Sequence, residues 1–181
     1  MKIAFLNTDD FTGGAAIASL RLAQTIIEKG HDVTYFCVNK KSNHKFVKPI
    51  DNGFFFDLNY KFKFALERLY FLLYRKNKEV GFAFSPANTG FDLTKKINLK
   101  SFDLIHINWT NFGFLSLSDL EKIFSLNLPI LFTLHDMWLF TGGCHHSGDC
   151  INFKESCGNC KQYLKNPFDF DLSFHVLEKK K

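Results

Sequence analysis

The opening 38 residues constrain the fold more than any other part of the chain. Residues 2–7 (KIAFLN) are a short apolar run, the pattern of a buried strand. Thr12-Gly13-Gly14 then makes a turn, and Ala16, Leu20, Ala23 and Ile27 recur at three- and four-residue spacing, one face of a helix that Gly30 stops. Residues 32–38 (DVTYFCV) are β-branched and aromatic, hence a second strand. A strand, turn, helix and strand in this length have the size of a βαβ crossover, which places the two strands parallel.

The pattern weakens and then resumes. Residues 46–50 read as a short third strand, residues 57–75 as a helix mixing a heavily apolar face with basic residues, and residues 81–98 as irregular, with turn signals at Ser85-Pro86, Asn88 and Gly90. Residues 103–108 (DLIHIN) alternate as a strand. Residues 119–126 (DLEKIFSL) read as a helix capped by Ser116 or Ser118, and ILFTL after Pro129 reads as a buried strand ending at His135-Asp136. Strands alternating with helices imply an α/β class, a Rossmann-like parallel sheet flanked by helices. From Trp138 onward the chain turns rich in Cys, His and Gly. Residues 1–137 are therefore read as a Rossmann-like domain, and residues 138–181 as a Cys-rich excursion and C-terminal tail of the same domain. Phe occurs 23 times in 181 residues, an aromatic content that argues against disorder.

The formal net charge is +5, concentrated in runs such as Lys61 to Lys63, Arg75 to Lys78 and Lys179 to Lys181. No Arg/Lys-rich helix interleaved with exposed aromatics accompanies it, so no nucleic-acid partner is expected. A solvated basic face, or attraction to an anionic substrate or lipid headgroups, accounts for the charge. The N-terminal apolar run is too short for a signal-peptide core, and no stretch of about 18 uncharged apolar residues exists. The expected location is cytoplasmic, with peripheral contact at the inner face of the membrane as a further reading of the basic helix.

In an open parallel sheet, ligands bind beyond the carboxyl ends of the strands, near the switch in strand order. Those ends here carry Asn7 with the Gly13-Gly14 turn, Asn108-Trp109, and His135-Asp136. Free N–H groups at Gly13 and Gly14, ahead of a helix, suit a phosphate, although a Gly turn also serves tight backbone geometry alone. The dinucleotide pattern G-x-G-x-x-G is absent and the second strand ends in Val38-Asn39 rather than an acid, which disfavours an NAD enzyme. His135 and Asp136 are candidates to hydrogen-bond a sugar or phosphate, against the plainer reading of a satisfied strand-end pair. Trp109 is a candidate to stack on a sugar face or simply a core residue, and His106, inside a strand, reads as a core or edge histidine.

Cys144, Cys150, Cys157 and Cys160 fall within 17 residues, while Cys37 reads as a small core hydrophobe. A structural zinc held by the four thiolates is one reading, with His145 or His146 able to replace a cysteine. Two disulfides or free thiols are the others. No catalytic cofactor is expected.

Three segments carry a family resemblance: the opening strand with Thr12-Gly13-Gly14-Ala15-Ala16, the segment from Asp103 to Trp109, and the stretch from Thr133 to His145. They resemble bacterial glycosyltransferase family 4 enzymes, in particular a subgroup making capsular and exopolysaccharides of the colanic-acid type. The resemblance implies a GT-B architecture of two Rossmann-like domains, retention of anomeric configuration and metal-independent chemistry. This chain would be the N-terminal, acceptor-side domain, transferring sugar from a nucleotide sugar to a saccharide or lipid-linked acceptor. By motif position, Gly13 and Gly14 would approach the donor phosphates, His135 would contact the donor sugar or its phosphate, and Asp136 would shape the site. The family's donor-binding C-terminal domain, with its E-x7-E motif, does not occur before Lys181. The expectation is that a missing domain or a partner chain supplies it and that this chain does not complete catalysis alone. The alternative is a non-catalytic, zinc-stabilised α/β binding module left by truncation.

Overall fold

A computed structural model describes residues 1–181. Five strands, β1 (Lys2–Asp9), β2 (Asp32–Asn39), β3 (Val47–Pro49), β4 (Leu104–Ile107) and β5 (Ile130–Phe132), form one parallel sheet in the order β3-β2-β1-β4-β5. The helices are α1 (Gly14–Glu28), α2 (Phe54–Leu72), α3 (Leu117–Phe124) and α4 (Leu172–Glu178). The strand order runs outward from β1 in both directions, so the switch point lies between β1 and β4, and the expected Rossmann-like sheet is found.

Alternation along β1 decides which helix packs where. Ile3 and Phe5 face α1, joining Ala23, Val33 and Tyr35 in one cluster. Ala4 and Leu6 face the other way, joining Phe36, Ile105, Ile107, Phe56 of α2 and Leu120 and Ile123 of α3. Gly30, at φ 87, ends α1 by adopting a left-handed turn that returns its N–H to the Ile27 carbonyl. Ser116 caps α3 through a capping box with Asp119.

Three helices differ from expectation. The helix expected over 119–126 runs from Leu117 to Phe124, because the capping box starts it directly after Ser116. The helix expected over 57–75 runs from Phe54 to Leu72; Arg75 instead bridges antiparallel to Leu164. α4 was not expected at all. Its Asp171 cap accepts from Ser173 N at 2.9 Å, and Leu172 and Val176 pack with Tyr163 and Leu164 against Phe71 and Phe84. The segment 81–98 is irregular as expected, with short 3-10 turns, yet Phe84, Ala87, Phe91 and Leu93 are all core residues.

Candidate functional site

At the carboxyl end of β1, Asn7 is 1% exposed and locks the switch point. Its Oδ1 accepts from Trp109 N at 2.8 Å, while its Nδ2 reaches the Tyr35 hydroxyl at 2.8 Å and Asp9 O at 2.7 Å. Asp9 Oδ1 accepts from Phe11 N and Thr12 N, and buried Asp10 accepts from Lys41 N and Ser42 N at 2.7 and 2.9 Å. These bonds set the loop that leads to Gly13, whose φ of 91 favours glycine.

A Cβ built on Gly13 or Gly14 meets nothing within 4 Å, so the turn faces open space. No side chain caps α1, leaving its first-turn N–H groups and the positive end of the helix dipole directed outward. Lys41, two residues beyond β2, donates from Nζ to Thr12 Oγ1 at 2.7 Å and stands 4.0 Å from Asp9. Sequence reasoning missed Lys41. The available signal was its position just past a strand that pairs parallel with β1.

At the ends of β4 and β5 the side chains interlock. His135 is half-buried, and its Nε2 lies 3.1 Å from Asn108 Oδ1. Asn108 Nδ2 donates to the His106 carbonyl at 3.4 Å, which turns Oδ1 toward the imidazole and makes Nε2 the protonated nitrogen. His135 Nδ1 is then left as a free acceptor. Burial lowers the His135 pKa below the ordinary histidine value, against the opposing charge of Asp136, so the ring is neutral at pH 7.

Asp136 is the hub. Its Oδ2 accepts from Trp109 Nε1 at 2.9 Å and His145 Nδ1 at 2.7 Å, and its Oδ1 accepts from Trp138 N at 2.8 Å. Burial alone would raise the carboxyl pKa. The three donors, His145 foremost, outweigh it and hold Asp136 below the usual carboxylate value. Trp109 has its indole N–H engaged and its ring edge-on to Phe112 at 5.1 Å. His106 is buried against Phe5, hydrogen-bonded to Thr133, and pushed down to about 4 by burial and then by His135, the core histidine of the plainer reading.

His145 is buried beside Asp136 and outside the lining of the cysteine cavity, held by backbone bonds to Ala83 and Met137 and by Asp136. The cavity itself, about 380 Å³, is lined by Cys144, Cys150, Cys157 and Cys160, all free thiols. Burial pushes the Cys144, Cys157 and Cys160 thiols up, Cys160 to about 11. Gly142 N donates to Cys157 Sγ at 3.1 Å, and Gly158 and Asn159 turn the chain at positive φ. As they stand, no three His, Cys, Asp or Glu side chains are arranged to hold a metal ion. Cys37 is wholly buried in the core.

The fold and this edge define a class: a Rossmann-like domain whose strand ends at the switch point carry uncapped N–H groups after β1 and a half-buried imidazole after β5. The chain belongs to glycosyltransferase family 4. A sequence model of that family, described as Glycosyltransferase Family 4, matches residues 12–152, from the Gly13-Gly14 turn into the cysteine-rich excursion. No curated protein and no solved structure matches the chain.

Proposed function

We propose that the chain is the acceptor-side half of a retaining, GT-B-type glycosyltransferase that moves a sugar from a nucleotide sugar to a saccharide or lipid-linked acceptor. The pathway we infer is colanic-acid-type capsular or exopolysaccharide synthesis, on the cytoplasmic side of the membrane. The observation that carries the reading is the convergence, at one sheet edge, of the uncapped α1 N-terminus with the His135–Asn108 pair. Family membership supports transfer in general.

As the bond from the sugar to its leaving phosphate breaks, negative charge grows on the nucleoside diphosphate. The N–H groups at Gly13 and Gly14, aided by the dipole of α1 and the Lys41 ammonium, stabilise that charge. His135 is held by Asn108 with Nδ1 outward, so it accepts a hydrogen bond from a sugar hydroxyl. Asp136 acts through others: it fixes Trp109 and His145 and so sets the crevice wall. A donor-binding domain or partner chain forms the opposite wall.

The cysteine cavity is assigned a structural part. Its four thiols share one cavity beside an N–H···S bond and a positive-φ knuckle, features that support a structural zinc after side-chain rotation. About one zinc per chain in purified protein is the expected content; four freely titrating thiols with no metal would overturn it. A non-catalytic binding module would use the same crevice, and no observation favours it over transfer.

The test of function is calorimetry of nucleoside diphosphate binding to this chain, with release of nucleoside diphosphate from nucleotide sugars by the assembled transferase. Lys41→Ala is expected to weaken binding, and His135→Ala to suppress release. Unchanged turnover in His135→Ala would show the assignment of His135 to be wrong.

A further inference from the structure

α2 has two apolar faces. The inner one, with Phe56, Tyr60, Phe64 and Phe71, packs on the body of the protein. The outer one carries Phe55, Leu58, Phe62, Leu66, Leu69 and Leu73 at successive spacings of three or four residues, one stripe along a helix of 19 residues. Their exposures are 82, 55, 60, 38, 58 and 62%. Single exposed apolar side chains are ordinary on a soluble protein; a continuous stripe roughly 28 Å long is not.

The charge beside the stripe is predominantly basic. Over residues 54–79 there are six basic residues and three acidic ones. Of the acids, Glu67 is buried and paired with Arg68, and Asp57 is paired with Lys61 at 2.7 Å. Lys76 and Lys78 stand exposed just past the helix end, Lys76 Nζ donating to the Lys161 carbonyl at 3.0 Å and exposed Glu79 following Lys78. The inner face meanwhile holds the loop that follows Trp109: Glu67 Oε2 accepts from Gly113 N at 3.1 Å.

We propose that the outer face of α2 is a membrane-docking surface. The helix lies in the plane of an anionic bilayer, its stripe in the boundary between headgroups and acyl chains and its lysines on lipid phosphates. No helix of the chain is long and apolar enough to cross a membrane, so the contact is interfacial. A second copy of the chain is a poorer occupant, because a symmetric pairing of this face brings basic residues against basic residues. The inference goes beyond sugar transfer and needs neither donor nor acceptor, so its failure is separate from failure of that reading.

The experiment is co-sedimentation of the intact chain with phosphatidylcholine vesicles, with and without phosphatidylglycerol, read beside sedimentation velocity without lipid. Binding to the phosphatidylglycerol vesicles is expected. The Phe62→Ser/Leu69→Ser pair is expected to weaken it about tenfold or more, with circular dichroism unchanged because both side chains are exposed. Lys76→Glu/Lys78→Glu is expected to weaken binding to the anionic vesicles only. No sedimentation with either vesicle would overturn the proposal. So would a lipid-free dimer that the Phe62→Ser/Leu69→Ser pair dissolves in a chain that binds no vesicle, which would make the stripe a protein interface.

Discussion

Replacing Asp136 by Asn tests whether this residue organises the crevice. Three donors converge on the carboxylate at 2.7, 2.8 and 2.9 Å. An amide offers one oxygen in place of two. If that oxygen serves Trp109 and His145, the amide nitrogen faces Trp138 N–H, donor against donor. One bond to a charged group is then lost and two others become neutral, and such bonds contribute about 1.5–3 kcal/mol each when charged and about 1 kcal/mol when neutral. These losses come to about 2.5–7 kcal/mol; the lower cost of burying a neutral amide than a carboxylate offsets part of them, leaving about 3 kcal/mol, or a fall in Tm of about 6–12 °C for a chain of this size. Urea and thermal unfolding of the two proteins at pH 7 measure it. The pH dependence gives a second reading. Asp136 has a folded pKa below its unfolded value, so its contribution is complete above about pH 4 and disappears as pH falls through the folded value. The gap between wild type and variant is therefore constant from pH 7 to about 5 and closes in stronger acid. A loss under about 1 kcal/mol at pH 7, or a gap that widens in acid, refutes the reasoning.

Glu67→Ala is expected to destabilise by about 3–5 kcal/mol, since it strands Arg68 and deprives Ser85 Oγ and Gly113 N of an acceptor; a double variant with Arg68→Ala should lose less than the sum of the two singles in denaturant titration. Gly90→Ala should yield little folded protein on expression and circular dichroism, because the new Cβ would stand 2.1 Å from Ser116 N and 2.5 Å from Asp119 Oδ2, inside the cap of α3. His106 is kept neutral by burial, its pKa about 4 against an ordinary 6.5, so stability held above pH 6.5 is lost as pH falls toward 4; His106→Leu should flatten that part of the unfolding profile.

The β1-α1-β2 unit was legible because its signals are local: an apolar run, a glycine turn, a 3.6-residue period and a glycine stop all fall in order along the chain. The start of α2 was less so. Phe54, Phe55 and Phe56 put apolar side chains on opposite faces of the first turn, which hides the period there. α4 escaped because its seven residues span barely two turns, too few to set up a period, between the Asn166-Pro167 turn and three terminal lysines, although Asp171 followed by Leu172 and Ser173 is a cap signal. In the candidate site, the strand-end residues Asn108, Trp109, His135 and Asp136 could be read from their places in the pattern. The contact of Lys41 with the glycine turn depends on strand order, and that of His145 with Asp136 on the path of an irregular loop. Glu67 gave no signal either, since an acid beside an arginine in a basic helix resembles a surface residue until the loops at 85 and 113 fold over it.

The grip of His145 on Asp136 has a chemical consequence. His145 follows Cys144 directly, and Gly142 N–H rests on Cys157 Sγ, so the crevice wall and the thiol cavity share a single short tether. Linkage through such a tether is reciprocal in binding free energy. With zinc on the four thiolates, as proposed above, the metal and a ligand that tightens the strand-end wall raise one another's affinity by the same factor. Zinc retention against a chelator then reports occupancy of the wall before the ligand itself has been identified.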